Sequence, residues 1–414
     1  MNSYVVPMGP INQSSLYDIE IEKAQESYLF STNGKRYLDL RSGLWNISLG
    51  YNKELYETVN QSFAKILNRG IPFIDIHSYN NEFYERFSRK LLNFINYNES
   101  KFNRVFFTNS GSEGTELAIK MSRQIHRDNR KKKIVSFQEG YHGTFFGGMA
   151  VSGLDEQITD TYEPKLSGFK FFNSPIDVEN LNAIVNYLRD HSDEISAFFI
   201  EPIVGSGGTL IIKDEFMNTI IRTCNENDIL VVFDEVATGF YRTGTAFKFH
   251  DLEYHPDIVI LSKSINNGIL PFGTVVINDK VEKLLGVSHI EHFSTQNGNI
   301  LGVVSAFRTL EYYEKYQKLI LRNIEEIEGI YKSELSKENI EFRGQGAMIS
   351  IPLPNQSIMM SLVQRLKDFG ILTYYYVSPQ GECGLTLFPP LLIEVNKFEK
   401  SMKIITKIIT QHTR

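Results

Sequence analysis

The sequence predicts an α/β protein, with a mostly parallel sheet covered by helices and a smaller α+β domain. Three observations carry that prediction. From about residue 104 onward, strand and helix signals alternate, as they do when helices cross over between parallel strands. Ile229-Leu230-Val231-Val232-Phe233 and Ile258-Val259-Ile260-Leu261 are uninterrupted apolar runs, suited to strands buried on both faces. After about residue 300 the alternation gives way to one long helical stretch, further strands and a closing helix.

In chain order, residues 14 to 52 read as short strands and turns around Asn33-Gly34-Lys35 and Tyr37-Leu38-Asp39-Leu40. They lead into Arg41-Ser42-Gly43-Leu44-Trp45-Asn46, which holds the only tryptophan. Apolar residues recur at helical spacing from Glu54 to Leu67 and from Glu82 to Leu92. Strands are expected at 105–107, 134–137, 198–200 and 274–277, with helices at 113–127 and 214–226. The last part reads as a helix from Leu301 to Leu335 and strands near 348–353 and 385–388. Cores stop growing near ~250–300 residues, so a 414-residue chain is expected to divide. The expected division is 1–52 as an N-terminal segment packing with the small domain, 53–300 as the large domain and 301–414 as the small domain.

Composition limits the function classes. A hydrophobic content of 42% with 22% charged residues is that of a globular enzyme, and a net charge of −6 argues against a nucleic-acid partner. The one dense basic run, Arg130 to Lys133, is short and falls between a helix and a strand, where a solvated turn is expected. Two cysteines, Cys224 and Cys383, exclude a disulfide framework and suit a reducing cytoplasm. Met1 to Gln13 lacks the basic start and apolar stretch of a signal peptide, and no apolar run approaches membrane-spanning length. A cytoplasmic enzyme is the expectation.

The two buried runs end in chemistry. The first is followed by Asp234-Glu235 and the second by Ser262-Lys263. Open α/β sheets bind ligands at the carboxyl ends of their strands, so the acid and the amine are expected to face one crevice. Taken alone, the pair reads first as a salt bridge at a sheet edge. Together in a crevice they match pyridoxal phosphate (PLP), whose aldehyde a lysine holds as a Schiff base and whose ring nitrogen a carboxylate keeps protonated. Thr108-Asn109-Ser110-Gly111-Ser112-Glu113 joins a strand to a helix, and Ser110 with Glu113 has capping-box spacing. Such a helix start is a simple cap or, with its free amides and positive dipole end, a phosphate site. Tyr141-His142-Gly143 follows another strand, placing an aromatic ring where it can stack on a flat heterocycle, and Glu201-Pro202 ends the next strand at the same level.

These strings together resemble the class III aminotransferases, also called subgroup II. The matching segments are NSGSEGTELAIK, YHGTFFGGMAVSG, EPIVGSGG, DEVATGFYRTG, PDIVILSKSINNG and HFSTQNGN, in the family's order, and the resemblance extends from about residue 30 to 393. It implies a fold type I PLP enzyme with a seven-stranded large-domain sheet. It further implies Lys263 as the Schiff-base lysine and Asp234 as partner of the ring nitrogen. Gly111 and Ser112 would hold the phosphate, with Tyr141 on one face of the ring and Val236 on the other. Thr295 would reach the phosphate of a neighbouring subunit, so a homodimer with shared active sites is implied. Arg242 matches a family arginine that serves either the scaffold or the substrate. GKRYLDLRSGLWNISLGYN and GILPFG are most similar to the ω-amine aminotransferases, where the tryptophan shapes the substrate pocket. That likeness makes Trp45 a candidate pocket wall as well as a core residue. The ATG after the aspartate is shared with the diaminopelargonic acid aminotransferases.

The departures concern substrate choice. Ala237 stands where many members have a glutamine contacting the ring hydroxyl, and Gln296 where an aromatic often follows the phosphate threonine. Glutamate-using members pair a glutamate after EPI-x-G with an arginine before PP; here these positions are Ser206 and Thr386. The substrate pocket is expected to draw on Trp45, Arg41, Glu201 and Thr386, and no metal is expected. The leading expectation is a transaminase exchanging an amino group between an amine or amino acid and a keto acid or aldehyde. A PLP-dependent aminomutase or racemase on the same scaffold is the alternative, and a PLP-binding protein without turnover is disfavoured by the presence of Lys263 and Asp234.

Overall fold

The computed structural model describes residues 4–8, 19–97, 100–127, 130–154 and 156–413. Residues 14–18 of the expected N-terminal strand-and-turn region, like most of the segment before them, lie outside the described residues. The chain opens with β1 (Ile21–Gln25), β2 (Tyr28–Ser31) and β3 (Arg36–Asp39), an antiparallel meander. The large sheet takes β4 (Phe102–Thr108), β5 (Lys133–Phe137), β6 (Phe169–Phe172) and β7 (Ile195–Ile200). A small hairpin of β8 (Ile203–Val204) and β9 (Leu210–Ile211) follows, then β10 (Leu230–Asp234), β11 (Ile258–Leu261) and β12 (Gly273–Asn278) return to the large sheet. The C-terminal part adds β13 (Arg343–Gln345), β14 (Met348–Leu353), β15 (Ile371–Leu372), β16 (Tyr374–Val377) and β17 (Cys383–Leu387).

The seven strands of the large sheet lie in the order β4-β12-β11-β10-β7-β5-β6. All adjacent pairs are parallel except those of β12, which runs antiparallel to both β11 and β4. The segment 262–272 is too short for the helical crossover that a parallel return requires, so the chain doubles back. Side chains alternate between two cores: Leu230, Val232, Ile258 and Ile260 pack on one face, and Val231, Phe233, Val259 and Leu261 on the other. That two-sided burial explains the unbroken apolar runs. The edge strand β6 escapes the sequence reading because Phe169-Lys170-Phe171-Phe172 is short and only partly buried.

The long helix, Ile300–Lys337, is capped by the Asn299 side chain accepting from the Leu301 and Gly302 amides. It packs against the helices Lys53–Asn68, Glu82–Ile95 and Val395–Thr413, joining both parts of the chain. The four-stranded sheet β13-β14-β17-β16 carries Thr386 opposite Ser350. The N-terminal meander ends against the C-terminal part, where β3 pairs in parallel with β15 and Leu38 lies opposite Ile371.

Candidate active site at the carboxyl ends of the parallel strands

The parallel register of β10 and β11, with Asp234 opposite Ile260, brings Asp234 and Lys263 out at the same end of the sheet. Lys263 begins a short 3-10 turn with φ at +43°, a left-handed conformation unusual for a side chain with a Cβ. Strain of this kind collects at functional sites and persists where the surroundings enforce it. Here Ser262 enforces it in part, its hydroxyl donating to the Phe272 carbonyl at 2.7 Å. Burial pulls the Lys263 amine below its ordinary pKa, against the opposing influence of Asp234 and Glu201.

Asp234 is buried and held on both oxygens. Oδ1 accepts from the Val236 amide at 3.1 Å, and Oδ2 lies 2.9 Å from His142 Nδ1. His142 Nε2 lies 3.3 Å from the Ser136 hydroxyl. Glu201, at the end of β7, is fully buried; one oxygen accepts from the Tyr141 amide at 2.8 Å and the other from the Gly205 amide at 3.3 Å. Burial pushes its carboxyl up to about 7, with Asp234 adding to the rise and His142 opposing it.

The helix Gly111–Ile125 starts where the sequence indicates, with the Ser110 hydroxyl accepting from the Glu113 amide at 3.1 Å. The reciprocal capping bond is displaced by one residue, because the Glu113 carboxylate turns to the Asn109 amide at 2.8 Å. The Gly111 and Ser112 amides have no acceptor among the described residues. Two glycines keep this corner open. A Cβ on Gly111 would stand 2.8 Å from Val236 Cγ2, and one on Gly143 would collide with the Ser112 side chain.

One cavity of 230 Å³ collects these groups. Its lining includes Trp45, Gly111, Ser112, Tyr141, His142, Glu201, Ser206, Asp234, Val236, Ala237 and Lys263. Trp45 is buried in the core and also lines this cavity. It is 5% exposed, stacks on Phe388 at 4.1 Å, and its ring centroid lies 4.7 Å from Lys263 Nζ. A larger cavity of 680 Å³, lined by Glu139, Arg343 and Gln380 among others, lies beyond the same segment: Ser206 faces the first, and Gly207, Leu210 and Ile211 face the second. Among the described residues the larger one has no lysine in its lining, the amine that this chemistry needs.

Four residues singled out in the sequence, Arg41, Thr386, Thr295 and Arg242, lie outside the lining. Arg41 Nε stands 3.7 Å from Asp39 Oδ1, and Asp39 also accepts from the Arg41 and Gly43 amides. Thr386 sits inside the small sheet with its hydroxyl 3.5 Å from Ser350, whose own hydroxyl meets Thr209 at 2.7 Å. Thr295 is exposed on a turn before the long helix. Arg242 is fully buried, donating to the carbonyls of Ala347 and Pro389 and to the Ser48 hydroxyl. Those bonds assign it to the scaffold. His142 is the residue that sequence reasoning passed over, although its place between Tyr141 and Gly143 at a strand end was a usable signal.

The residues present fit PLP. A buried amine, a carboxylate held on both oxygens, free helix amides beside a side-chain-free corner, and an aromatic at the rim share one cavity. Comparison with known proteins agrees. The family model for class III aminotransferases matches residues 10–409. An acetylornithine aminotransferase from Lactococcus lactis is 30% identical over 395 residues, covering 94% of this chain and 96% of its own. An adenosylmethionine-8-amino-7-oxononanoate aminotransferase from Staphylococcus aureus is 30% identical over 385 residues, covering 83% and 81%. The crystal structure of the corresponding Methanocaldococcus jannaschii enzyme superposes with a TM-score of 0.86 at 27% identity, covering 97% of this chain and 96% of that one.

Proposed function

This chain belongs to the class III aminotransferases, and on that premise we propose the following division of labour within its cavity. The enzyme is a fold type I, PLP-dependent transaminase that moves an amino group between an amine or amino acid and a carbonyl compound. When bound, PLP supplies an aldehyde to join to amines and a protonated ring to take up the electrons left when a C–H bond breaks.

The residues around it do the rest. Lys263 Nζ would hold the cofactor at rest, then take the proton from the substrate carbon and deliver it to the former aldehyde carbon of the cofactor; a depressed amine pKa favours the basic form that this requires. Asp234 keeps the ring nitrogen protonated, and His142 with the Val236 amide fixes the carboxylate for that task. Gly111 and Ser112 bind the phosphate through amides at the positive end of the helix. Tyr141 and Val236, which both line the cavity, would hold the ring between them, and Trp45 would exclude water beside Nζ.

Thr295, exposed on its turn, reaches the phosphate of a second copy, so the working form is a homodimer with shared sites. Residues 53–300 act as the PLP-binding domain and 301–414 as the small domain. The pairing of β3 with β15 supports grouping residues 1–52 with the latter. Two buried free thiols, Cys224 and Cys383, suit a cytoplasmic setting. Among the described residues no helix is long and apolar enough to cross a membrane.

The carrying observation is the convergence of Lys263 and Asp234 in one cavity with unsatisfied helix amides. The test is a half-reaction. PLP-loaded protein mixed with a single amine and no acceptor should release the carbonyl product and retain pyridoxamine phosphate stoichiometrically. Recovery of the amine as an isomer, with PLP unchanged, would instead assign an isomerase.

A further inference from the structure

We propose that Glu113 is a positioning residue: its carboxylate holds the phosphate-binding turn and the Thr295 turn together as one unit. The proposal rests on the reading of Thr295 as the residue that meets a second copy's phosphate.

Glu113 is 9% exposed and sits in the first turn of the helix that begins at Gly111. Oε2 accepts from the Asn109 backbone amide at 2.8 Å and from Asn109 Nδ2 at 3.0 Å. Oε1 accepts from Asn297 Nδ2 at 2.7 Å, with His292 Nε2 at 3.5 Å. Asn297 in turn accepts from the Ser294 amide at 2.6 Å, and Asn109 Nδ2 also reaches the Ser294 hydroxyl at 3.1 Å. An unbroken set of bonds therefore runs from the residue before the phosphate turn, through Glu113 and Asn297, to the residue before Thr295.

The donor pattern explains why this position carries a carboxylate. The hydrogen-bond partners of both oxygens, from Asn109 and Asn297, are N–H donors, and an ionised carboxylate is an acceptor on both. Burial works against ionisation, but the bonds from His292, Asn297 and Asn109 outweigh it and hold the acid at about 2. Glutamine has the same size yet must set an NH2 against donors on one side. It would keep one turn and release the other. The carboxylate also stands close to a phosphate site, where its charge is unfavourable, so bond geometry rather than charge accounts for it.

The test is a double-mutant cycle on PLP affinity, read by spectroscopic titration of the apo-protein, with sedimentation reporting the dimer. Glu113→Gln should weaken PLP binding about tenfold while the chain stays folded and dimeric. Thr295→Ala should do the same. Combining them should be no worse than Thr295→Ala alone, because Glu113 acts through the turn that Thr295 occupies. Full additivity would show that Glu113 serves only its own helix, and would overturn the proposal. Unchanged PLP affinity in Thr295→Ala would overturn the reading of Thr295 itself and the proposal with it. Should Glu113→Gln fail to fold, Asn297→Ala cuts the same link from the other turn and takes its place in the cycle, with the same outcomes deciding.

Discussion

His142 Nδ1 lies 2.9 Å from Asp234 Oδ2, with both side chains buried and the far ring nitrogen 3.3 Å from the Ser136 hydroxyl. The imidazole thus fixes the one carboxylate that faces the ring-nitrogen position, and a hydrogen bond to a charged group is worth about 1.5–3 kcal/mol. Replacing His142 with leucine should therefore slow the half-reaction by roughly tenfold to a hundredfold. PLP should still bind through the phosphate turn. Single-turnover kinetics beside a PLP titration separates the two effects, and an unchanged rate would remove His142 from the mechanism.

Lys263→Ala should retain the phosphate-binding groups and lose all turnover, since attachment and proton transfer both use Nζ. Its PLP should be removable by gel filtration and untouched by borohydride, whereas the parent protein should become covalently labelled at Lys263 on reduction. Labelling at a different lysine would contradict the assignment.

Substrate choice follows from the charges facing the cavity. Its lining holds one cation, Lys263, and two carboxylates, Glu201 and Asp234. Arg41 Nε stands 3.7 Å from Asp39, Arg242 donates to backbone carbonyls, and Thr386, where the resemblance implies a clamp arginine, lies within a chain of hydroxyls. A substrate carboxylate is best gripped by the planar fork of arginine, and among the described residues none lines this cavity. Glutamate is expected to be at least tenfold slower than an uncharged-tail amine such as an aryl amine in the half-reaction. Arg41→Ala should leave that ranking intact. Faster reaction with glutamate would mean that another chain or a moved loop supplies the cation.

Glu235 gives a pH test unrelated to catalysis. It is fully buried, accepting from the Thr238 hydroxyl at 2.5 Å and the Phe249 amide at 3.1 Å, and burial raises its carboxyl to about 7. A raised acid binds its proton more tightly in the folded state, so its ionisation lowers stability as pH rises from about 4.5 to about 7. A rise of that size corresponds to on the order of 3 kcal/mol above the upper value. Glu235→Gln should flatten this part of the pH dependence in urea melts and be more stable than the parent at pH 8. A mutant profile parallel to the parent's would show that Glu235 does not titrate in that window.

Much of this protein was legible from local pattern. The runs before Asp234 and Lys263 are unbroken because both faces of β10 and β11 are buried, and hydrophobicity records burial directly. Ser110 marked the start of the phosphate helix because a cap is a local device, settled within a few residues of chain. The long helix and the candidate lysine, aspartate and phosphate turn were read for similar reasons.

What the tertiary structure alone decided are relations between distant segments. The reversal of β12 depended on the path of the chain between strands, and strand signals carry no direction. Arg41 and Thr386 were compatible with a pocket by type and position, and only the fold set Arg41 beside Asp39 and Thr386 opposite Ser350. The contact of His142 with Asp234 spans separate strands, and that of Glu113 with Asn297 joins a helix start to a distant turn. Residue type states what a side chain can bond; only the folded backbone, by setting distances to within a fraction of an ångström, selects which of the possible partners it meets.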